Sequence, residues 1–80
     1  MENIRIISAK YLEDYKIKIR FNDGLEKSID LEKELYGEVF EPLKNIVYFK
    51  KFSLNYFTIV WPNGADFAPE FLYDYKEELV

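Results

Sequence analysis

Residues 16–21 alternate strictly between charged and apolar side chains, and this pattern limits the fold more than any other part of the sequence. The apolar positions are Ile17, Ile19 and Phe21, and the charged positions are Lys16, Lys18 and Arg20. Successive side chains of a strand point to opposite faces, so one face would meet a core and the other water. The run 22–24, with Asp-Gly, predicts a hairpin turn because Gly24 adopts a positive φ at little cost. A return strand is expected over 25–30, with Leu25, Lys27 and Ile29 on one face.

Shorter patterns predict the remaining elements. The first strand is expected at 3–11, apolar on both faces and therefore central in its sheet. Later strands are expected at 52–54 and at 57–61, the second of them central. Three helices are predicted. The first covers 31–36 and is capped by Asp30, and the second runs from Pro42 to Phe49 with an apolar stripe of Phe40, Leu43, Ile46 and Val47. The last begins at Pro69 and continues through Phe71, Leu72 and Tyr75, with Leu79 as its furthest candidate position before a frayed end.

The element order β-β-β-α-α-β-β-α indicates the α+β class. We expect a small, mainly antiparallel sheet of about five strands with short helices packed on one face, in a single domain over residues 1–80. The aromatic share of 19% suits a domain this small, because aromatic side chains bury a large area each. Tyrosines serving as contacts on a sticky surface are the alternative interpretation.

Several classes of function are excluded by residues that the chain lacks. The sequence has no His and no Cys, which removes zinc fingers, thiolate nucleophiles, disulfide scaffolds and Ser-His or Cys-His catalytic units. Its three glycines are scattered, so no phosphate-binding loop is predicted. Acids are not clustered as an oxygen-ligand metal site requires. So small a core also leaves little volume for a ligand pocket. We therefore predict no enzyme activity, no cofactor and no metal.

Carboxylates remain the only common catalytic type, and three of them stand at the ends of predicted elements. Nothing in their spacing pairs them across a cleft. We interpret Asp23 as a turn former, Asp30 as a helix cap and Asp66 as a loop former. A minimal enzyme that uses Asp66 with Asn63 and Tyr73 is the least favoured functional hypothesis.

The segment 61–73 differs in composition from the rest of the chain. It holds two prolines, a glycine, two acids and the single Trp within thirteen residues, and the aromatic residue before Pro62 raises the frequency of a cis bond. A rigid loop there would form a recognition corner, and its candidate binding residues are Trp61, Asn63, Asp66 and Tyr73. The alternative is a structural corner, with Trp61 in the core, Asp66 bonded to loop amides and Pro69 starting the helix.

The charge distribution argues against nucleic acid as the main partner. The net charge is −4, and residues 22–49 hold seven acidic side chains against three basic ones. The only candidate face for a phosphate backbone is Lys16, Lys18 and Arg20, which a solvated strand face explains equally well. No apolar run is long enough to span a membrane and no secretory signal begins the chain, so we expect a cytoplasmic protein.

The chain resembles the bacterial domain of unknown function 2442 over roughly Ile4 to Tyr73. The matching pieces are the strand ending in Phe21, the turn Asp23-Gly24, Ile29-Asp30-Leu31, Phe40-Glu41-Pro42-Leu43, Trp61-Pro62-Asn63-Gly64-Ala65-Asp66, Pro69-Glu70 and Leu72-Tyr73. The resemblance implies a small α+β domain with no established catalytic residues. It also implies an interaction module, because relatives that stand alone are often encoded beside a second small protein in a toxin–antitoxin-like arrangement. Tyr48-Phe49-Lys50-Lys51-Phe52 departs from the family pattern and leaves that helix-to-strand boundary open.

Two functional hypotheses follow. The first is a non-catalytic protein-interaction module, an antitoxin-like partner of a small basic protein, since an acidic domain suits a basic partner. The alternative is an accessory DNA-binding or transcription-regulatory domain that uses the basic N-terminal strands. A homo-oligomer is also plausible, because a small sheet with an open edge gains from pairing.

Overall fold

The computed structural model of the protein describes residues 3–76, and its centre is a three-stranded antiparallel sheet. The strands are β1 (Ile6–Glu13), β2 (Lys16–Phe21) and β3 (Glu26–Asp30), in the order β1-β2-β3. The alternating run predicted as a strand is confirmed, since Ile17, Ile19 and Phe21 of β2 are fully buried. The hairpin after it closes on Gly24, whose φ is 91°, while the Asp23 carboxylate accepts a hydrogen bond from the Leu25 amide.

The first strand lies at the edge of this sheet, so the prediction that it is central is wrong. Ile7 is exposed, and irregularities in the pairing with β2 fall between Ile6 and Ser8 and between Tyr11 and Glu13. Beyond β1, one backbone hydrogen bond runs from the Ile6 amide to the Phe57 carbonyl, over 2.8 Å. Isoleucine side chains on both faces reflect a bulged edge strand, because a bulge turns one side chain out of the regular alternation.

The helical part of the chain consists of short pieces. Two 3₁₀ helices, Glu32–Glu34 and Glu38–Lys44, precede α1 (Ile46–Phe49). The predicted continuous helix from Pro42 to Phe49 is therefore wrong. Its break is at Asn45, whose backbone is extended and whose side-chain oxygen accepts hydrogen bonds from the Val47 and Tyr48 amides. A new helix starts there because the asparagine serves as its N-cap.

The break also rearranges the predicted apolar stripe. Leu43 is buried, and Phe49 at the end of α1 is buried as well. Val47, by contrast, is 69% exposed, so its assignment to the stripe is wrong. The helical spacing that would align Val47 with Leu43 is lost once Asn45 changes the direction of the chain.

A second, separate sheet follows. It pairs β4 (Ser53–Leu54) with β5 (Ile59–Val60) in antiparallel fashion. The α+β class is confirmed, but the five strands divide into two sheets, and β5 is not a central strand. The strands are short because Asn55 accepts hydrogen bonds from the Phe57 and Thr58 amides and folds the connection into a tight turn.

The last described element is α2 (Pro69–Asp74), which begins at the predicted proline. Tyr75 has an extended backbone and ends the helix before the position predicted for its last turn. The predicted extension to Leu79 and the frayed end lie partly outside the described residues. No helix within residues 3–76 has the length and apolar character needed to cross a membrane.

The core lies between the inner face of the three-stranded sheet, the short helices and the second sheet. Its fully buried side chains include Ile17, Ile19, Phe21, Ile29, Leu31, Leu43, Phe49, Ile59 and Leu72. Aromatic rings connect these layers: Tyr15 packs edge-on against Phe49, with ring centroids 5.2 Å apart, and Phe49 lies against Trp61 at 5.6 Å. Most aromatic residues are therefore buried in the core or packed against it, as the first interpretation predicts, while Tyr36, Tyr56, Phe57 and Phe71 are exposed.

Candidate functional site

Trp61 belongs to the core and is not displayed at the predicted recognition corner. Its side chain is 2% exposed, and its indole Nε1 donates a hydrogen bond of 2.8 Å to the Phe49 carbonyl. A buried indole needs such an acceptor, since an unpaired N–H in an apolar interior is costly. The structural interpretation of Trp61 is the observed one, and its indole cannot contact a partner in this conformation.

Asn63 lies in the exposed turn after Trp61 and connects two parts of the protein. Its side-chain oxygen accepts from the Ala65 amide, and its Nδ2 donates 2.9 Å to the Val39 carbonyl in the second 3₁₀ helix. Gly64 completes the turn with a φ of 89°, and the bond before Pro62 is trans, as are all peptide bonds in the described part of the chain. Both polar groups of the Asn63 side chain are thus occupied within the protein.

Tyr73 points to a different neighbourhood from the other three corner residues. Its ring packs edge-on against Phe21, and its hydroxyl donates to the Asp23 carboxylate at the hairpin turn. This hydrogen bond lowers the pKa of Asp23 and raises the pKa of Tyr73. The structure provides no grouping of Asp66, Asn63 and Tyr73 of the kind that the minimal-enzyme hypothesis requires.

Asp66 lies in a surface groove, and this groove is the candidate functional site. Its backbone bridges to Val60 of β5, which holds the residue beside the second sheet. Its side chain is exposed, and within residues 3–76 no hydrogen bond or ion pair reaches the carboxylate. The predicted bonds from Asp66 to loop amides are therefore not observed; Asn63 makes that contact instead, to the Ala65 amide. Within the described part of the chain, the Asp66 carboxylate therefore has no partner.

The groove lies between the start of β1, the turn 55–58 and the start of α2. Its volume is about 490 Å³, and its lining consists of Asn3, Ile4, Asn55, Phe57, Thr58, Asp66, Phe67, Ala68, Pro69 and Glu70. Among these residues are two carboxylates and no lysine or arginine, so the groove is acidic. The groove is open at the surface and takes no volume from the core, so it does not contradict the expectation that so small a core leaves little room for a pocket.

The floor of the groove is rigid while one of its walls is aromatic and exposed. Thr58 is buried, and its hydroxyl donates 2.7 Å to the Phe67 carbonyl, which ties the turn to the chain before α2. Phe57 on the wall is 52% exposed, and its neighbour Tyr56 is 71% exposed. The two rings meet edge to face with centroids 4.7 Å apart. Large exposed aromatics next to carboxylates can hold a cation by charge and by ring contact.

The basic residues predicted for the alternative function lie on the outer face of the three-stranded sheet. The pairing register adds Lys10, directly opposite Lys18. Acidic neighbours partly neutralise this face: Glu26 binds Arg20 at 2.8 Å and Lys18 at 3.7 Å, and Glu13 lies 3.5 Å from Lys16. The Arg20 hydrogen bond is the main reason why the pKa of Glu26 is lowered. Within residues 3–76, Lys10 has no acidic partner.

The other predicted acids have local roles. Asp30 ends β3 and accepts a hydrogen bond from the Glu32 amide, but the N-cap of the first 3₁₀ helix is Leu31, so the prediction that Asp30 caps this helix is wrong by one residue. Asp23 forms the hairpin turn. Among residues 3–76 there is no group of three or more acidic side chains arranged to hold a metal ion.

Sequence reasoning missed the larger part of the groove. Asp66 is a candidate binding residue from the sequence. Phe57 and Thr58 belong to the predicted strand 57–61, and Asn55 belongs to the connection before it, so the sequence marks none of these three as a site residue. One signal was present, since an Asn in the middle of an apolar, β-branched run is typical of an Asx turn. That signal indicates a turn but not which surface the turn meets. Contact with Asn3 and with the start of α2 depends on the packing of distant segments.

These observations define the class of the protein, which is a small α+β protein of two sheets with an acidic groove on its surface. The chain belongs to the family described as "Protein of unknown function (DUF2442)", which it matches over residues 6–78. No curated protein matches it, and no solved structure matches it. The family description assigns no activity, so the groove is the best guide to function.

Proposed function

We propose that this protein is a non-catalytic interaction module that binds a small basic protein through the Asp66 groove, as an antitoxin binds the protein it neutralises. One observation carries the proposal: among residues 3–76, the groove of about 490 Å³ is lined by Asp66 and Glu70 and by no lysine or arginine. Charge complementarity of this kind steers a partner of opposite sign and excludes partners of like sign. A protein rich in lysine and arginine is the partner that such a surface favours.

The aromatic wall supports the same proposal. Phe57, which lines the groove together with Asp66 and Glu70, is 52% exposed, and its ring contacts that of Tyr56, which is 71% exposed. Aromatic residues are enriched where partners bind, because they bury much area at a small entropic cost. The wall and the carboxylates together match a partner surface that is basic and partly apolar.

Capture with matched charge variants tests this proposal. Tagged wild type, Asp66→Asn and Asp14→Asn proteins are expressed at natural level, and the proteins that elute in stoichiometric amount are identified. Asp14 is a suitable control because it is an exposed turn residue outside the groove, and its positive φ of 48° suits asparagine. We expect one small basic protein with wild type and Asp14→Asn, and at least tenfold less of it with Asp66→Asn.

Two results would contradict the proposal. One is a stoichiometric partner that Asp66→Asn retains fully, since binding would then use another surface. The other is a wild-type protein that elutes alone at natural expression level. Circular dichroism of each variant confirms that the fold is intact, because exposed substitutions of this kind change stability by roughly 0.5 kcal/mol or less.

An accessory DNA-binding function is the second candidate, and the outer sheet face is its support. Lys10, Lys18 and Arg20 lie on neighbouring strands of that face. Glu26 competes for two of these cations, so binding to phosphate would have to displace it. Retardation of duplex DNA at low salt that disappears at moderate salt, and that Lys10→Gln weakens, would support this function. No retardation at low salt would exclude it.

A further inference from the structure

We infer that the Asp66 groove is a binding site for a guanidinium group, and that the partner inserts an arginine side chain there. This inference rests on the proposed function and makes it specific, because it names the side chain that the partner must supply. It is carried by three observations on residues 3–76: the Asp66 carboxylate has no partner among them, the Phe57 ring is exposed, and no lysine or arginine among them lines the groove.

The geometry of the wall favours a flat cation. A guanidinium is planar, so its face can lie on an aromatic ring while its edge donates hydrogen bonds to a carboxylate. Phe57 supplies the exposed ring, and Asp66 supplies the acceptor in the same groove. An ammonium group is a compact, strongly hydrated point charge that gains less from a ring face.

The protein already places one of its own guanidinium groups on an aromatic ring, that of the residue next to Phe57. The Arg5 guanidinium carbon lies 5.3 Å above the centroid of the Tyr56 ring. Arg5 follows Ile4, which lines the groove, and Tyr56 precedes Phe57. An aromatic face at this corner thus accepts arginine, while the next ring along the chain is exposed and has no cation on it in the described part of the protein.

The groove is also preorganised for such a ligand. The Asn55 side chain holds the Phe57 and Thr58 amides at 2.7 Å each, and Thr58 is tied to the Phe67 carbonyl. The Ile6 amide donates to the Phe57 carbonyl, so the backbone beneath the ring is fixed to β1 as well. A site that need not order itself on binding loses less entropy, and this gain matters most for a single side chain.

Titration with small probes tests the inference on the full chain. The probes are acetyl-arginine amide, acetyl-lysine amide and acetyl-citrulline amide; citrulline has nearly the shape of arginine without its charge. We expect acetyl-arginine amide to shift the backbone NMR signals of Asn55, Thr58 and Asp66 with a Kd on the order of a millimolar, as suits a ligand of this size. The lysine probe should bind at least threefold more weakly, and the citrulline probe should leave the signals unchanged.

Variants of the two walls complete the test. Asp66→Asn and Phe57→Ala should each raise the Kd for acetyl-arginine amide at least fivefold. The control Asp14→Asn removes the same charge, and the control Tyr36→Ala removes an exposed aromatic outside the groove. Both controls should leave the Kd unchanged. Binding should also weaken as salt is raised, because the carboxylate is exposed to solvent.

The outcomes separate this inference from the proposed function. Equal shifts with the arginine and lysine probes, or none with either, would overturn the guanidinium site. If a basic partner is nevertheless captured in an Asp66-dependent manner, the interaction function stands without the arginine. If the arginine probe binds as expected and no partner protein is captured, the guanidinium site stands and the interaction function is the part that fails.

Discussion

The ammonium group of Lys27 donates a hydrogen bond of 2.5 Å to the Tyr73 carbonyl at the end of α2, although Lys27 belongs to a strand forty-six residues earlier. It also contacts the carbonyls of Leu72, at 3.4 Å, and of Tyr75. The last carbonyls of a helix have no partner within the helix, and a cation is favourable there. Lys27 lies opposite Ile19 of β2, on the face of the sheet that meets the core.

This contact has a second consequence for the sheet. β3 is an edge strand, and an edge strand with free backbone groups is prone to pair with other chains. An inward-pointing charge is one of the devices that protect such an edge. The Lys27 side chain therefore serves two purposes, since it anchors α2 and makes β3 a poor template for a further strand.

Replacing Lys27 with methionine should destabilise the protein. Lys27→Met keeps the apolar stem and removes the amine, so three carbonyl contacts at the end of α2 are lost. We expect the free energy of unfolding to fall by about 1–3 kcal/mol, the usual range for hydrogen bonds that involve a charged group. Urea unfolding measures this change in the free energy of unfolding.

The control is Lys33→Met, at an exposed lysine in the first 3₁₀ helix, and it should change stability by roughly 0.5 kcal/mol or less. If the two substitutions changed stability equally, the role given to Lys27 would be refuted.

Replacing Trp61 with phenylalanine should cost about 2–4 kcal/mol of stability. Trp61→Phe leaves the buried Phe49 carbonyl without the donor it now has, and leaves a small cavity beside the Phe49 ring. For a domain of this size, the melting temperature should fall by about 4–8 °C for each kcal/mol. Differential scanning calorimetry measures the shift. A melting temperature unchanged within error would show that the indole hydrogen bond contributes nothing.

Asn45 should matter through its side-chain oxygen alone. Asn45→Ala removes the N-cap of α1 and should lower the free energy of unfolding by about 1 kcal/mol. Asn45→Asp keeps an acceptor at the same position and should retain most of the stability. Both variants are compared with wild type by urea unfolding. The assignment of Asn45 as a cap would be wrong if alanine and aspartate proved equivalent.

Tyr75 should be the source of a stability loss at alkaline pH. Desolvation, together with the hydrogen bond that its hydroxyl donates to Glu34, raises the pKa of Tyr75 to about 12. The neutral phenol is thus favoured in the folded state, so its contribution is fully present below the unfolded pKa of about 10 and is lost as pH rises from 10 towards 12.

Spectrophotometric titration of the phenolate band checks this assignment. Tyr75→Phe should remove the titration step near pH 12 and should make the free energy of unfolding less dependent on pH between 10 and 12. Tyr36→Phe, at an exposed position, is the matched control and should leave that step in place. A step near pH 12 that persists in Tyr75→Phe would assign it to another group.

Several elements of the fold can be predicted from the chemistry of residues close in sequence, and the structure agrees with these predictions. The alternation of 16–21 required a half-buried strand, because side chains on a strand repeat every second residue. The Asp23-Gly24 turn and the start of α2 at Pro69 depend only on backbone preferences and on hydrogen bonds between residues close in sequence. The α+β class came from the order of such elements, so it too could be predicted.

The prediction of one continuous helix from Pro42 to Phe49 failed for a physical reason that is also local. Apolar spacing favoured continuity, but the Asn45 side chain offers its own oxygen to the Val47 and Tyr48 amides and starts a new helix. Asparagine is a poor residue inside a helix and one of the best residues at an N-cap, so the sequence itself favours a break at Asn45. Leu43 and Phe49, on either side of the break, are both buried in the core.

Contacts between distant residues decided everything that concerns the candidate site. Trp61 turns inward because the Phe49 carbonyl, twelve residues earlier, accepts its N–H, and Tyr73 is drawn to Asp23 at the hairpin. Asp66 was visible as an exposed acid in the sequence, but its groove forms only where the turn 55–58 meets the start of β1 and of α2. Local sequence determines which backbone conformations have a low free energy. Which surfaces those shapes bury together, and which carboxylate is left unpaired, is determined by the packing of the whole chain, because buried polar groups must find partners wherever the fold supplies them.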